Sequence, residues 1–92
     1  MYDLEYDNDW QDYFEKVPLE IQKRFMKKID KFIADPSSSF ERKKHGVPFF
    51  SDRIGPNYRI CFSSDENTKK RKFYFIGDHK EYEKWLRNYS TR

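Results

Sequence analysis

Between Lys72 and Gly77 the chain reads Phe73-Tyr74-Phe75-Ile76, without one charged side chain, in a sequence only 36% hydrophobic. A run this short, bounded by charge and by glycine, suits a strand better than a helix. A strand with no polar face has to be covered on both sides. The chain is therefore expected to build a sheet around this segment. From Tyr58 to Phe62 the residues alternate, with Tyr58, Ile60 and Phe62 on one face and Arg59 and Cys61 on the other. Phe49–Ile54 reads as the preceding strand, joined by Gly55-Pro56-Asn57, and the polar segment Ser64–Lys70 is the next turn before Arg71–Ile76. Met1–Asp7 alternates Tyr2, Leu4 and Tyr6 against Asp3, Glu5 and Asp7, which makes it the fourth strand.

The helices follow from a different period. Asn8 or Asp9 can cap a short helix whose inner face is Trp10, Tyr13, Phe14 and Val17, and Pro18 interrupts it and opens the next. In that second helix Ile21, Phe25, Ile29, Phe32 and Ile33 recur at helical spacing, with Met26 beside them, and the whole stripe reads as core. Asp35-Pro36 stops it. Phe40–Lys44 is expected to add one helical turn before Gly46 and Pro48 break it. Tyr82, Trp85, Leu86 and Tyr89 mark a terminal helix over Lys80–Tyr89. The order β-α-α-β-β-β-α predicts an α+β fold, a mostly antiparallel four-stranded sheet with an N-terminal helical hairpin and a C-terminal helix, the helices on one face.

Ninety-two residues make one domain, 1–92, and with aromatics at 20% a few large rings must supply most of the buried area. The single cysteine, Cys61, excludes an internal disulfide, and no Cys/His cluster has metal-ligand spacing, so neither metal nor cofactor is expected. With no signal-like opening and no run long enough to span a bilayer, a cytoplasmic protein without membrane attachment is the expectation. Charge is segregated: residues 1–20 carry seven acids against Lys16, while residues 21–92 carry eighteen bases and nine acids. A basic body suits RNA or an acidic partner chain, although mixed, solvated surface charge explains any single lysine.

An arginine in mid-strand (Arg59) is a fixed cation, and a histidine closing the neighbouring strand (His79) is titratable. Together they can hold a phosphodiester and move a proton beside it. On residue types alone an edge arginine and an ordinary loop histidine are the favoured explanation.

The order of these motifs resembles the RelE/ParE toxin superfamily of toxin–antitoxin modules. The resemblance runs through Phe14-Glu15-Lys16-Val17-Pro18-Leu19-Glu20-Ile21-Gln22, the Asp35-Pro36 stop, the basic turn Arg42-Lys43-Lys44-His45-Gly46, Tyr58-Arg59-Ile60 and Gly77-Asp78-His79. It implies a RelE-like fold and a toxin neutralised by a cognate antitoxin. In the RelE-like branch, activity is metal-independent cleavage of mRNA, often on the ribosome, by attack of a ribose 2′-OH on the adjacent phosphate. By that resemblance Arg59 contacts the scissile phosphate, Arg53 is a further cation on the preceding strand, and His79 is the acid, as in the YafQ-like toxins. Tyr82 falls near a C-terminal tyrosine position of the family. Lys43, Lys44 and the hairpin run Lys69, Lys70, Arg71 and Lys72 are the candidate RNA-backbone contacts. Asn57 stands where the YafQ-like pattern has a carboxylate, which leaves the general base open between His45, Asp52, Glu41 and Glu81. A ParE-like gyrase inhibitor without catalysis, or an inactive relative that keeps only its antitoxin surface, remains the alternative.

Overall fold

The computed structural model describes residues 2–34, 43–44 and 49–90. Its elements are β1 (Asp3–Tyr6), α1 (Trp10–Lys16), α2 (Leu19–Ala34), β2 (Lys43–Lys44), β3 (Phe50–Ile54), β4 (Tyr58–Asp65), β5 (Lys70–Asp78) and α3 (His79–Ser90). The sheet order is β1-β5-β4-β3-β2, with β1 parallel to β5 and the other pairs antiparallel. The α+β class and the element order match the sequence expectation. The four expected strands are present, and the two-residue β2 extends the sheet. Lys43 and Lys44 are thus strand rather than helical turn, because pairing with Ser51 and Phe50 gives their backbone partners on the outer side of β3. Residues 40–42 of that expected turn lie outside the described residues.

The placement of the helices corrects the one-face expectation. Trp10, Val17, Ile21, Phe25 and Ile29 from α1 and α2 pack on Ile54, Ile60, Phe62, Phe73 and Ile76. On the other side of the sheet, Tyr82, Trp85, Leu86 and Tyr89 of α3 pack on Phe49, Cys61 and Phe75. The physical cause is the apolar run itself. Opposite Cys61 stands Phe75 and opposite Phe62 stands Phe73, so Tyr74 is an extra, bulged residue on β5. The bulge turns Phe73 and Ile76 toward the helical hairpin and Tyr74 and Phe75 toward α3. A strand apolar on both faces needs cover on both, and α3 supplies the second layer.

Local chemistry sets the joints. The seven-residue α1 is too short to hold itself, and the ring of Trp10 anchors it, 5.0 Å from Phe25 and 5.7 Å from Phe73 between centroids. At the α1–α2 junction Gln22 Nε2 donates to the carbonyls of Phe14 and Val17, 3.1 Å each, satisfying groups that the helix end and Pro18 leave open. Parallel pairing sets Asp3 opposite Lys70 and Glu5 opposite Lys72, and Asp7 Oδ1 lies 3.8 Å from Lys72 Nζ. Three of the seven acids of the opening therefore face lysines of β5 within the same molecule. Not all of the α2 stripe is core: Met26 is 50% and Ile33 48% exposed. Both lie on the shoulder of the helix, about 100° of rotation from the buried Ile21/Phe25/Ile29/Phe32 line.

Candidate functional site

The site begins with strand parity. Ile54, Ile60 and Tyr58 occupy the hairpin-helix face, so Arg53 and Arg59 occupy the α3 face, and the register sets them directly opposite one another. Gly55 takes φ 63°, which a side chain tolerates poorly, and so lets the connection close tightly between Ile54 and Tyr58. Arg59 in turn lies opposite Gly77, and the His79 N–H donates to the Asn57 carbonyl at 3.0 Å, tying the start of α3 to the turn. The result is a cleft of about 230 Å³ lined by Arg53, Pro56, Asn57, Tyr58, Arg59 and His79.

Its electrostatics are one-sided. No carboxylate is among the lining residues. Among the described residues neither the Arg53 nor the Arg59 guanidinium has an ion-pair partner; the Arg59 guanidinium carbon lies 5.8 Å from the Tyr82 ring centre. Like charges set directly opposite on paired strands repel, so the arrangement is one that an added anion would relieve. The imidazole of His79 is held at Nε2 by Glu83 Oε1, 2.7 Å away, which leaves Nδ1 as its other polar atom. Glu83 is absent from the sequence-based candidates; the signal that could have found it is the i, i+4 spacing from His79 on the terminal helix.

The remaining candidates are distributed differently. Tyr82 is only 4% exposed and does not line the cleft; it lies beneath Arg59 in the α3 core. Burial pushes its phenol above the usual value, against a hydrogen bond with Ser51 and the Arg59 charge. Asp52 faces away from the cleft, because one residue of strand parity separates it from Arg53, and its carboxylate pairs with Lys28 at 2.7 Å. Glu81 is engaged at the helix start. Its carboxylate accepts from the Asp78 N–H at 3.0 Å while its own N–H donates to Asp78 Oδ1 at 2.8 Å, a capping box. Glu41 and His45 lie outside the described residues, as do the side chains of Lys43 and Lys44, whose backbone forms β2.

The hairpin run is also divided. Arg71 is 1% exposed, with its guanidinium carbon 4.1 Å from the Phe32 ring centre, 4.9 Å from Phe62 and 5.4 Å from Tyr2. This corrects its place among the RNA-backbone candidates: strand parity sends it under α2, where aromatic faces receive the cation. Lys69 lies over Tyr2, Lys70 is exposed opposite Asp3, and Lys72 approaches Asp7. They occupy the far end of β5 from His79, about 27 Å away at strand rise. The described cationic site candidates therefore form two separate groups, one at the cleft and one at the far end of β5.

No protein-family model matches the chain, and no curated protein matches it. Solved structures do. The RelB–RelE antitoxin–toxin complex from Methanococcus jannaschii matches at TM-score 0.69 with 21% identity, over 88% of this chain and 96% of that one. The isolated Escherichia coli RelE toxin matches at 0.67 with 16% identity, over 96% and 98%. A YoeB/ParE toxin from Agrobacterium tumefaciens matches at 0.64 with 15% identity, over 86% and 99%. The parallel opening strand, the helical hairpin on one face and the basic hairpin under a terminal helix together are the fold of the RelE/ParE toxins.

Proposed function

We propose that the chain is the toxin of a toxin–antitoxin pair, acting in the cytoplasm as a metal-independent endoribonuclease on mRNA, on the ribosome, and silenced by its cognate antitoxin. The observation that carries this reading is the cleft: two opposed arginines without a carboxylate partner among the described residues, converging with one imidazole. In the reaction, Arg53 and Arg59 hold the non-bridging oxygens of the phosphodiester and stabilise the charge that grows on the phosphorane. The ribose 2′-oxygen bonds to phosphorus as the bond to the 5′-oxygen breaks. His79 Nδ1–H gives its proton to that leaving oxygen, with Glu83 orienting the ring. The products are a 2′,3′-cyclic phosphate and a free 5′-hydroxyl. No carboxylate of the cleft lining takes the 2′-OH proton, so His45 is the first candidate for the base.

The test is incubation of purified protein with RNA in EDTA, followed by end-group analysis. Cyclic phosphate ends that disappear in His79→Ala and are suppressed by the antitoxin support the reading. Metal-dependent 3′-hydroxyl ends refute it. Asn57, in the position where the YafQ-like pattern carries a carboxylate, favours the second reading, a ParE-like toxin that acts on gyrase through protein contacts. Growth arrest with intact mRNA and inhibited supercoiling, unchanged in His79→Ala, selects that reading.

A further inference from the structure

The outer shoulder of α2 carries a second feature. Leu19, Met26 and Ile33 are 64%, 50% and 48% exposed and lie at intervals of seven residues. Seven residues are close to two turns, so the three side chains form one seam about 21 Å long. Beside the seam, Met26 borders a groove of about 260 Å³ whose other walls include Tyr6, Trp10, Phe14 and Phe25. Large apolar side chains repeated at this spacing on an exposed helix face are the pattern of a helix–helix contact.

The charges beside the seam indicate which helix. Lys23 and Asp30 share the exposed flank of the stripe, and among the described residues neither has an ion-pair partner. Neighbouring charges do: Glu20 pairs with Arg24, and Lys28 with Asp52. Lys23 precedes Met26 by three residues and Asp30 follows it by four; Leu19 and Ile33 lie seven before and seven after. The seam is therefore self-complementary about a twofold axis at Met26 with the helices antiparallel. Leu19 meets Ile33 of the other copy and Met26 meets Met26, while Lys23 and Asp30 come within one residue of level, a rise of about 1.5 Å that a lysine side chain spans. A parallel arrangement would carry this flank to opposite sides of the contact and leave Lys23 and Asp30 unable to pair across it. We infer that this face of α2 binds a second copy of the chain, antiparallel and twofold-symmetric about Met26, joining the two helical hairpins into a four-helix layer. The interface is small, so association is concentration-dependent. It lies on the opposite side of the sheet from the Arg53/Arg59/His79 cleft and leaves both clefts open.

Sedimentation over a hundredfold concentration series tests this. The mass should rise from 11.4 kDa toward twice that value, and Met26→Asp should hold it at 11.4 kDa while the circular dichroism spectrum stays unchanged. Lys23→Asp should weaken association, and adding Asp30→Lys in the same chain should restore it. Met26→Cys should cross-link to itself on oxidation, while Leu19→Cys should not; the native Cys61 is buried and does not compete. A chain that stays monomeric throughout overturns the inference. So does a dimer that survives Met26→Asp, a Leu19→Cys chain that self-links more readily than Met26→Cys, or a seam that proves to hold a different protein.

Discussion

If Arg53 and Arg59 are held opposite one another for an anion rather than for the fold, removing one should stabilise the free protein. Arg53→Gln is the cleaner perturbation, because Arg53 is exposed and Arg59 packs over Tyr82. Like charges directly opposite on paired strands cost roughly 0.2–1 kcal/mol. For a domain of this size 1 kcal/mol shifts Tm by roughly 4–8 °C, so Arg53→Gln should raise Tm by about 1–8 °C at low salt. The gain should vanish in high salt, since the screening length falls from about 10 Å at 0.1 M to about 3 Å at 1 M. Thermal melts at two ionic strengths measure both. The same variant should bind RNA less well. With an oligonucleotide deoxy-substituted at the scissile ribose, the slope of log K against log salt should shrink by about 0.7, one single-strand phosphate contact. A lower Tm for Arg53→Gln, or a gain independent of salt, would show that Arg53 serves the fold and would refute the reasoning.

Arg59→Ala should reduce RNA cleavage by roughly 10²–10³ while the protein stays folded, the usual loss for one preorganised donor, and single-turnover rates measure it. Gly77→Ala should destabilise by about 1–3 kcal/mol in denaturant titration, because its added Cβ would sit 2.6 Å from Phe75 Cζ and 3.1 Å from Cε2 in the α3 core. Burial pushes the Cys61 thiol up to about 12, so native protein should not react with a thiol reagent until it unfolds. The sign for stability follows: above the ordinary thiol value the unfolded chain ionises first, so this residue's contribution falls as pH rises from about 9.

Periodicity alone determined most of the elements. Alternation in Tyr58–Phe62 places Arg59 on the face opposite Ile60, and the Ile21/Phe25/Ile29/Phe32 spacing places α2 over the sheet, because side-chain direction repeats with backbone geometry. The apolar run Phe73–Ile76 likewise requires cover on both faces. Which helix covers which face was decided only in three dimensions, by the bulge at Tyr74, a backbone irregularity with no local signature among four apolar residues. Charge was the least legible property. Arg71 sits in a run of lysines that reads as solvated, yet parity and the rings of Phe32 and Phe62 bury it. Asp52 is one residue from Arg53 and faces the other way, toward Lys28. Glu81 stands in an Asp-x-x-Glu pattern that signals a cap, and the cap is what holds it. Met26 and Ile33 share the helical period of the core, but the hairpin covers only one side of α2, so their position on its shoulder leaves them exposed. A sequence specifies which residues share a face. Which charges share a cleft depends on how the strands register and what packs above them, and that is a property of the assembled sheet.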